Sequence, residues 1–282
     1  MITEQSSSRM AKAGDLDIHY NEAGEGECVI MLHGGGPGAS GWSNFKQNLP
    51  VFGEHFRTLL VDQPGYGKSS KPKHQLTQVE IGAKAIRDLL DTLGIEKTHL
   101  VGNSMGGATS LKFALEYPDR LDKLVLMGPG GGSVNIFSPE PTEGMKVLMD
   151  FYAPPGPSIE KTQALIESML YDSSLVGEEL LKERLDAALD QDSMAYVMNM
   201  FANIAGAGNP MEDLWMRIHE IQNETLLIWG FDDRVLPVEG SMFMLKRMPD
   251  ARLVIFKECG HWAQLEKQKE FERASIPFLQ DA

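Results

Sequence analysis

The chain has 282 residues, a length that suits one full-sized core with a satellite insertion better than two independent domains. Its formal net charge of −14 at pH 7 argues against nucleic acids and anionic membranes as partners, because both would be repelled. Two cysteines are too few for a disulfide framework or a cysteine-based metal site, and no His/Asp/Glu spacing resembles a metal site. We therefore expect no metal and no other cofactor.

The N-terminal segment is polar and lacks the apolar centre of a signal peptide. No apolar run approaches the length of a membrane span. These features predict a reduced, cytoplasmic, soluble protein. Residues 1–13 are expected to form a disordered or loosely attached arm.

Strand and helix patterns alternate along the chain on both sides of a middle block. The predicted strands are 15–21, 27–32, 56–62, the run that begins at His99, 121–127, 225–229 and 252–256. The predicted helices are 42–49, 77–93, 108–116, 238–248 and a last one from about residue 264. This alternation predicts an α/β fold with a mostly parallel sheet flanked by helices.

The middle block, residues 133–211, has a helical pattern and is rich in methionine. Apolar residues recur at i, i+3, i+4 and i+7 in two stripes, at Met145, Leu148, Met149 and Tyr152 and at Met194, Val197, Met198 and Phe201. Each stripe is typical of a helix packed on the sheet, and flexible methionines as a set also suit an apolar pocket. We interpret the chain as a core of residues 1–132 and 212–282 with an inserted helical lid, residues 133–211.

The stretch Gly102-Asn103-Ser104-Met105-Gly106 links the strand at His99 to the helix that follows it. Its G-x-S-x-G pattern is typical of a nucleophile elbow, where a serine occupies a sharp strand-to-helix turn. Glycines are needed in such a turn because the two backbones crowd together. We predict Ser104 as the nucleophile and the Met105 N–H as one oxyanion donor. Such a pattern often arises by chance, so its partners must be found.

A nucleophilic serine needs a base, and two histidines follow it in the chain. His219 lies in the predicted helical stretch 212–221 and is interpreted as a surface or lid-edge residue. His261 comes just after the last predicted strand, at the carboxyl end where catalytic groups gather in open α/β sheets. We predict His261 as the base, and its neighbour Cys259 as a buried structural cysteine.

The base in turn needs an orienting carboxylate, which is expected after strand 225–229 in the order Ser, acid, His. Asp232 and Asp233 are the two candidates there, and the usual G-x-x-D spacing favours Asp233. A second oxyanion donor is expected in the glycine cluster after strand 27–32. The N–H of Gly35 is preferred, with that of Gly36 next.

With these motifs in order, the sequence resembles the α/β-hydrolase superfamily over nearly its whole length. Within it, the sequence looks most like the meta-cleavage product hydrolases, the carbon–carbon bond hydrolases of bacterial aromatic degradation, with the biphenyl-pathway type nearest. The stretches that carry the resemblance are residues 33–39, 41–44, 102–107, 126–131 and 259–264.

The resemblance implies a small-molecule substrate of the 2-hydroxy-6-oxohexa-2,4-dienoate type. Protonation at C5 would give a keto tautomer, and attack at the C6 carbonyl would then release 2-hydroxypenta-2,4-dienoate and a carboxylic acid such as benzoate. His261 would move the protons. Ser104 would form an acyl-enzyme or would activate water instead, and both routes stay open.

The resemblance also implies the substrate-binding residues. Asn44, Asn103, Arg184 and Trp262 match the polar pocket of the family, and Gly36 is grouped with them. From the residues alone, Arg184 is expected to be an exposed charge paired with a nearby Glu. The residues alone leave two roles open for each asparagine: a hydrogen bond within the elbow or substrate binding for Asn103, and a helix cap or substrate binding for Asn44.

The apolar end of the substrate is expected to meet Met169 and Met198. Some close relatives carry an aromatic residue where Met169 stands, which leaves the preferred C6 group open. Relatives commonly assemble, so a homo-oligomer is expected.

Two other functions fit the same motifs. One is a carboxylesterase or a proline-iminopeptidase-like hydrolase, although the glycine loop has an extra glycine and no acidic amine-binding cluster is evident. The other is a non-catalytic ligand-binding member of the fold, which the predicted triad disfavours.

Overall fold

The structure is a computed structural model that describes residues 2–73, 77–135, 137–138, 140–207 and 214–281, with side chains except those of 201–207. Several predictions fall partly outside these residues. They concern the lid residues 136, 139 and 208–211, the side chain of Phe201 and the start of the helical stretch 212–221.

In the part of the chain that the structure describes, eight strands form one sheet. They are β1 (Ser8–Ala13), β2 (Leu16–Ala23), β3 (Cys28–Leu32), β4 (Arg57–Val61), β5 (Thr98–Asn103), β6 (Leu121–Met127), β7 (Thr225–Gly230) and β8 (Ala251–Phe256). Their order is β1-β2-β4-β3-β5-β6-β7-β8. The first two pairings are antiparallel and the rest are parallel, as the strand–helix alternation predicts.

The helices lie mostly between these strands in the chain. They are α1 (Glu4–Ser7), α2 (Gly41–Phe45), α3 (Leu49–Phe52), α4 (Gln78–Leu93), α5 (Met105–Glu116), α6 (Glu143–Asp150), α7 (Ile159–Met169), α8 (Glu178–Ala188), α9 (Gln191–Ala207), α10 (Leu214–Arg217), α11 (Glu239–Arg247), α12 (Ala263–Glu266) and α13 (Gln268–Gln280). No helix among the described residues has both the length and the apolarity needed to cross a membrane.

The sheet is buried on both faces, which explains the nearly continuous apolar runs of its central strands. Every residue of β3, β5 and β7 is buried. Side chains of α4 and α5 form the core on one face, and those of α2, α3 and α13 form it on the other. Because β3 to β8 run parallel, their carboxyl ends lie at the same end of the sheet, and the loops that follow them carry the candidate site.

The expectation of a loose N-terminal arm is wrong. Strand β1 pairs with β2 along its whole length, from Ser8 opposite Asn21 to Ala13 opposite Leu16. The Ser8 hydroxyl lies 2.8 Å from Nε2 of His19, whose Nδ1 lies 2.8 Å from the buried carboxylate of Asp62. These partners are distant in sequence, so the polar composition of the arm gave no sign of them.

Two predicted helices are each divided in the structure. The helix expected over 42–49 is α2 followed by α3, because Pro50 has no N–H with which to continue α2 and instead stands in the first turn of α3. The final helix is α12 followed by α13, with Lys267 between them in a non-helical conformation. Both breaks are short and leave the layers unchanged.

Helices α6 to α9 occupy most of the inserted block between β6 and β7. Phe151, Ile166 and Met169 of this block pack with Val235 and Trp262, which belong to the loops after β7 and β8. The inserted block thus lies against the carboxyl end of the sheet.

Candidate active site

Ser104 occupies the turn between β5 and α5. Its backbone angles are φ 55° and ψ −116°, a conformation that only a constrained turn imposes on a residue other than glycine. Its N–H donates to the Met127 carbonyl at 3.0 Å, and its own carbonyl accepts from the N–H groups of Ala108 and Gly130. The serine is therefore held at the end of β5 and at the start of a helix.

The glycines of the G-x-S-x-G pattern are required by close backbone contact. A Cβ atom on Gly102 would lie 2.5 Å from the Gly106 carbonyl oxygen. A Cβ atom on Gly106 would lie 2.0 Å from the carbonyl oxygen of Leu32 in β3. Neither position admits a larger residue, as the crowding argument for the elbow predicts.

His261 and Asp233 form a buried hydrogen-bonded pair. Nδ1 of His261 lies 2.7 Å from Oδ2 of Asp233. The other oxygen, Oδ1, accepts from the N–H groups of Val235 and Leu236 at 2.8 and 2.9 Å. This arrangement fixes the carboxylate and leaves Nε2 of the imidazole without a partner among the described residues. Nε2 is thereby free to accept a proton.

The end of β6 brings the serine turn and the His–Asp pair together. Met127 accepts the Ser104 N–H, and the next residue, Gly128, lies directly against the pair. A Cβ atom on Gly128 would be 3.1 Å from Oδ2 of Asp233 and 3.2 Å from Nδ1 of His261. The three residues predicted as a triad thus surround one strand end.

The alternative candidates Asp232, His219 and Cys259 have other surroundings. Asp232 is partly exposed, and its N–H donates to the Cys259 carbonyl. His219 is exposed in a 3₁₀ turn beside Arg247. Cys259 is buried, and burial raises the pKa of its thiol, so the thiol stays protonated at neutral pH.

The glycine loop after β3 lies against the serine turn. A Cβ atom on Gly34 would be 3.2 Å from the Cβ of Ser104, and one on Gly35 would be 2.9 Å from Sδ of Met105. One on Gly36 would have only Cδ1 of Leu148 near it, at 3.9 Å. The two predicted oxyanion donors, Gly35 and Met105, therefore belong to adjoining segments.

His33 fixes the orientation of that loop. Its Nε2 accepts from the Gln63 N–H at 3.0 Å, so its proton is on Nδ1, which donates to the Gly34 carbonyl at 2.7 Å. Because a trans peptide directs its C=O and N–H to opposite sides, this bond turns the Gly35 N–H away from His33. Burial lowers the pKa of His33 to about 4, and the cation of Arg184 adds to this effect, so the ring is neutral at pH 7.

Sequence reasoning missed three residues of this network. The Tyr66 hydroxyl donates to the Gly35 carbonyl at 3.0 Å, and Gln63 donates to the His33 carbonyl at 2.7 Å. Thr109 donates to Oε1 of Gln63 at 2.7 Å. The signal for Gln63 and Tyr66 was their position after β4, at the same edge of the sheet as the triad candidates.

Arg184 is a buried cation, contrary to the expectation from the residues alone. Only 4% of it is exposed, although it lies on the charged helix α8. Its neighbour Glu183 pairs instead with Lys46, at 2.7 Å. Nε of Arg184 has no hydrogen-bond partner among the described residues. Burial lowers its pKa to about 10, against the attraction of Glu183, so the guanidinium is still charged at neutral pH.

The guanidinium lies over the ring of Trp262, with its carbon 4.9 Å from the ring centroid. Trp262 immediately follows His261 and is buried. The contact therefore joins a charge from the inserted block to the loop that carries the imidazole.

Two other candidates of the polar pocket are buried asparagines. Nδ2 of Asn103 donates to the carbonyls of Met127 and His261, both at 3.2 Å, and its Oδ1 has no partner among the described residues. Nδ2 of Asn44 donates to the Ser40 carbonyl at 3.0 Å, while the Ser40 side chain itself caps α2. Asn44 is therefore not the cap of that helix.

The two methionine candidates have different surroundings. Met169 is buried, and its carbonyl accepts from the N–H of His261 at 2.7 Å. Met198 is 47% exposed and lies outside the buried cluster around Met105. Residues of that cluster are Ala39, Tyr66, Met105 and Val197, with Tyr152, Tyr196 and Met200 partly buried against it. Of the described side chains in the apolar stripe predicted for α9, only Val197 belongs to this cluster; the helix also contributes Tyr196 and Met200, which lie outside the stripe.

The described residues contain no group of three His, Cys, Asp or Glu side chains that could hold a metal ion.

Comparison with known proteins adds a family and several relatives. A family model described as the α/β hydrolase fold matches residues 27–268. The chain is 46% identical to a 2-hydroxy-6-oxo-6-phenylhexa-2,4-dienoate hydrolase of Comamonas testosteroni, over 99% of this chain and 98% of that one. It is 41% identical to a 2-hydroxy-6-oxononadienedioate/2-hydroxy-6-oxononatrienedioate hydrolase of Pseudomonas putida, over 99% and 98%.

Two solved structures are similar over almost the whole chain. One is a 2-hydroxy-6-oxo-6-phenylhexa-2,4-dienoate hydrolase from Rhodococcus sp. strain RHA1, with a TM-score of 0.88, 32% identity, and 97% and 98% of the two chains covered. The other is a meta-cleavage product hydrolase from Pseudomonas fluorescens IP01, with a TM-score of 0.86, 32% identity, and 96% of each chain covered.

Proposed function

We propose, since this chain belongs to the α/β-hydrolase family and within it to the meta-cleavage product hydrolases, that it hydrolyses a carbon–carbon bond in ring-cleavage products of aromatic compounds. The substrate class is 2-hydroxy-6-oxohexa-2,4-dienoate. The products are 2-hydroxypenta-2,4-dienoate and a carboxylic acid that carries the C6 substituent. Water supplies the hydroxyl group of the acid and the proton of the dienoate.

Cleavage of a carbon–carbon bond expels a carbanion, so its electrons need a conjugated acceptor. Protonation of the dienol at C5 gives a keto tautomer with a carbonyl group at C2. Attack at the C6 carbonyl then breaks the C5–C6 bond. The electron pair left on C5 is delocalised through C3 and C4 onto the oxygen at C2, which gives the dienolate of the product. His261 is suited to deliver and remove these protons because its Nε2 has no partner among the described residues and its Nδ1 is held by Asp233.

The observation that carries this assignment is the buried guanidinium of Arg184, whose Nε has no hydrogen-bond partner among the described residues. A buried charge without a partner is unfavourable, and a carboxylate ligand would neutralise it through charge-assisted hydrogen bonds. Every dienoate of this class has a carboxylate at C1, whereas a plain ester substrate has none. Arg184 therefore binds the C1 end, with the Trp262 ring beneath it.

With the C1 carboxylate of the substrate at Arg184, the other residues take the following roles. Ser104 is the nucleophile, or it activates the attacking water, and the N–H groups of Gly35 and Met105 stabilise the oxyanion at C6. Asn44, Asn103 and Gly36 bind the oxygen-rich end of the substrate. Oδ1 of Asn103, which has no partner among the described residues, suits the 2-hydroxyl group as an acceptor.

The C6 substituent meets apolar side chains. Met169, Met198 and the cluster around Met105 form this end, with residues 133–211 as a lid over it. Thioether side chains adapt to different shapes, so the site accepts more than one C6 group.

Three further features belong to the proposal. The protein is cytoplasmic, which the two free, buried cysteines support because they suit a reducing compartment. It is a homo-oligomer, which sedimentation of the purified protein tests. It needs neither a cofactor nor a nucleic-acid or membrane partner.

The test uses purified protein and the yellow dienolates with C6-phenyl and C6-alkyl groups. We expect the visible absorption to disappear with multiple turnovers and benzoate to form from the C6-phenyl compound. A p-nitrophenyl ester serves as the comparison substrate. Rapid ester hydrolysis without loss of any dienolate band would assign the chain to the carboxylesterases, and binding without either reaction would make it a ligand-binding protein.

A further inference from the structure

The carboxylate of Glu266 connects two segments that are far apart in the chain. Glu266 is the last residue of α12 and is partly buried. Its Oε2 accepts from the N–H of Gly260 at 2.6 Å. Its Oε1 accepts from the N–H groups of Tyr171 and Asp172 at 2.7 and 2.9 Å. Gly260 precedes His261, whereas Tyr171 and Asp172 follow α7 in the inserted block.

The same two segments are also in direct backbone contact. The Met169 carbonyl accepts from the N–H groups of His261 and Trp262 at 2.7 and 3.3 Å. A Cβ atom on Gly260 would lie 2.5 Å from that carbonyl oxygen and 2.9 Å from the Tyr171 nitrogen. Residues 169–172 therefore rest on residues 260–262 with no side chain between them.

A carboxylate is the one side-chain group that suits this position. It has acceptor sites on both oxygens and no donor, so it accepts three N–H groups at once, in bonds strengthened by its charge. A glutamine of the same shape would bring its NH₂ group against either the Gly260 N–H or the two N–H groups of the inserted block. The NH₂ group of the glutamine would then face a backbone N–H, and neither group could accept a hydrogen bond from the other.

We propose that Glu266 is a positioning residue of the active site, which it serves without touching substrate. Its carboxylate sets the backbone from which His261 extends and fixes the segment after α7 over that backbone. One charged group thus fixes the position of the His261 imidazole relative to the inserted helices. This inference rests on the proposed role of His261 as the base.

The expected consequence is a loss in kcat larger than the change in KM. A displacement of a catalytic group by about 1 Å can lower a rate about a hundredfold. We expect Glu266→Gln to lower kcat about ten- to a hundredfold and to change KM less than about threefold, because Arg184 is held by α8.

Glu270→Gln is the matched control. It removes the same charge from an exposed position in the first turn of α13. We expect this variant to keep the wild-type kcat and a thermal midpoint within about 3 °C of wild type. Equal losses in the two variants would mean that the effect is one of net charge, and would overturn the proposal.

Amide hydrogen exchange supplies a second readout that needs no substrate. Glu266→Gln is expected to speed exchange at Gly260, Tyr171 or Asp172 and to leave the sheet amides unchanged. Wild-type kcat in Glu266→Gln, or a lower kcat with unchanged exchange at all three amides, would overturn the proposal. Should Glu266→Gln not fold, Glu266→Asp keeps the charge on a shorter side chain, and wild-type kcat in that variant would also overturn it.

These results can be told apart from a failure of the proposed function. If the wild-type protein hydrolyses an ester but no dienoate, the function is wrong. The role of Glu266 is then tested with the ester, because His261 would be the base in either reaction.

Discussion

The guanidinium carbon of Arg184 lies 4.9 Å from the centroid of the Trp262 ring. A cation over a desolvated tryptophan gains about 2 kcal/mol, whereas removing an unpaired ion from water costs several kcal/mol. The ring therefore offsets only part of the cost of burying Arg184. We therefore propose that the carboxylate of the substrate offsets the rest of this cost.

Replacing Arg184 by glutamine tests that connection. We expect KM for a dienoate to rise by about ten- to a hundredfold, because hydrogen bonds to a charged group contribute about 1.5–3 kcal/mol. A neutral ester has no carboxylate, so its KM should change little. The control is Lys182→Gln on the same helix, where the lysine is exposed and pairs with Asp186. Unchanged dienoate kinetics in Arg184→Gln would refute the role.

The neighbouring aspartates give a matched pair of variants. Asp233→Asn places an NH₂ group or a neutral oxygen against Nδ1 of His261, so the preferred tautomer and orientation of the ring are lost. We expect kcat to fall by about 10³- to 10⁴-fold. Asp232→Asn, one residue earlier and partly exposed, should stay within about twofold of wild type. Steady-state kinetics measure both variants. A larger loss of kcat in Asp232→Asn than in Asp233→Asn would identify Asp232 as the carboxylate that orients His261.

The buried, neutral His33 should make the free energy of unfolding depend on pH in the acid range. Its pKa falls from 6.5 to about 4 on folding, chiefly because of burial. Between these two values the unfolded chain binds the proton and the folded one does not, so the free energy of unfolding decreases as the pH falls from 6.5 to 4. The contribution is about 3 kcal/mol, complete above pH 6.5 and absent below pH 4.

Denaturant unfolding at several pH values measures this effect. The variant His33→Asn cannot titrate, so its curve of stability against pH should be flatter than the wild-type curve between pH 6.5 and 4. It should also be less stable at pH 7, since the bonds of the His33 ring to Gly34 and Gln63 are disturbed. Parallel curves over this range would show that His33 is not the titrating group.

The candidate triad could be found from sequence because each of its members has a local signal. Ser104 stands in a glycine pattern that only a crowded turn explains, and His261 and Asp233 each follow an apolar strand. Parallel strands bring such positions to one edge. The sequence therefore specified this part of the site with little help from long-range packing.

Other features depend on contacts that no short stretch encodes. Arg184 lies in a charged helix and is buried because it packs against Trp262, which is 78 residues away in the sequence. The Ser8–His19–Asp62 line orders an arm whose composition suggests disorder. Met198 is exposed although its helical stripe reads as apolar, because α9 turns Val197 inward. Helical periodicity locates a face only to within one neighbouring position.

The substitution Ser104→Ala tests the central claim most directly, because it removes one hydroxyl from the strained turn and leaves Arg184 and Trp262 in place. The measurement is the visible spectrum of a C6-phenyl dienolate mixed with the wild-type or the variant protein. We predict that the variant binds the dienolate with a Kd within about threefold of the wild-type KM and turns it over at least about 10³-fold more slowly. Bleaching of the band by Ser104→Ala at the wild-type rate would contradict the account.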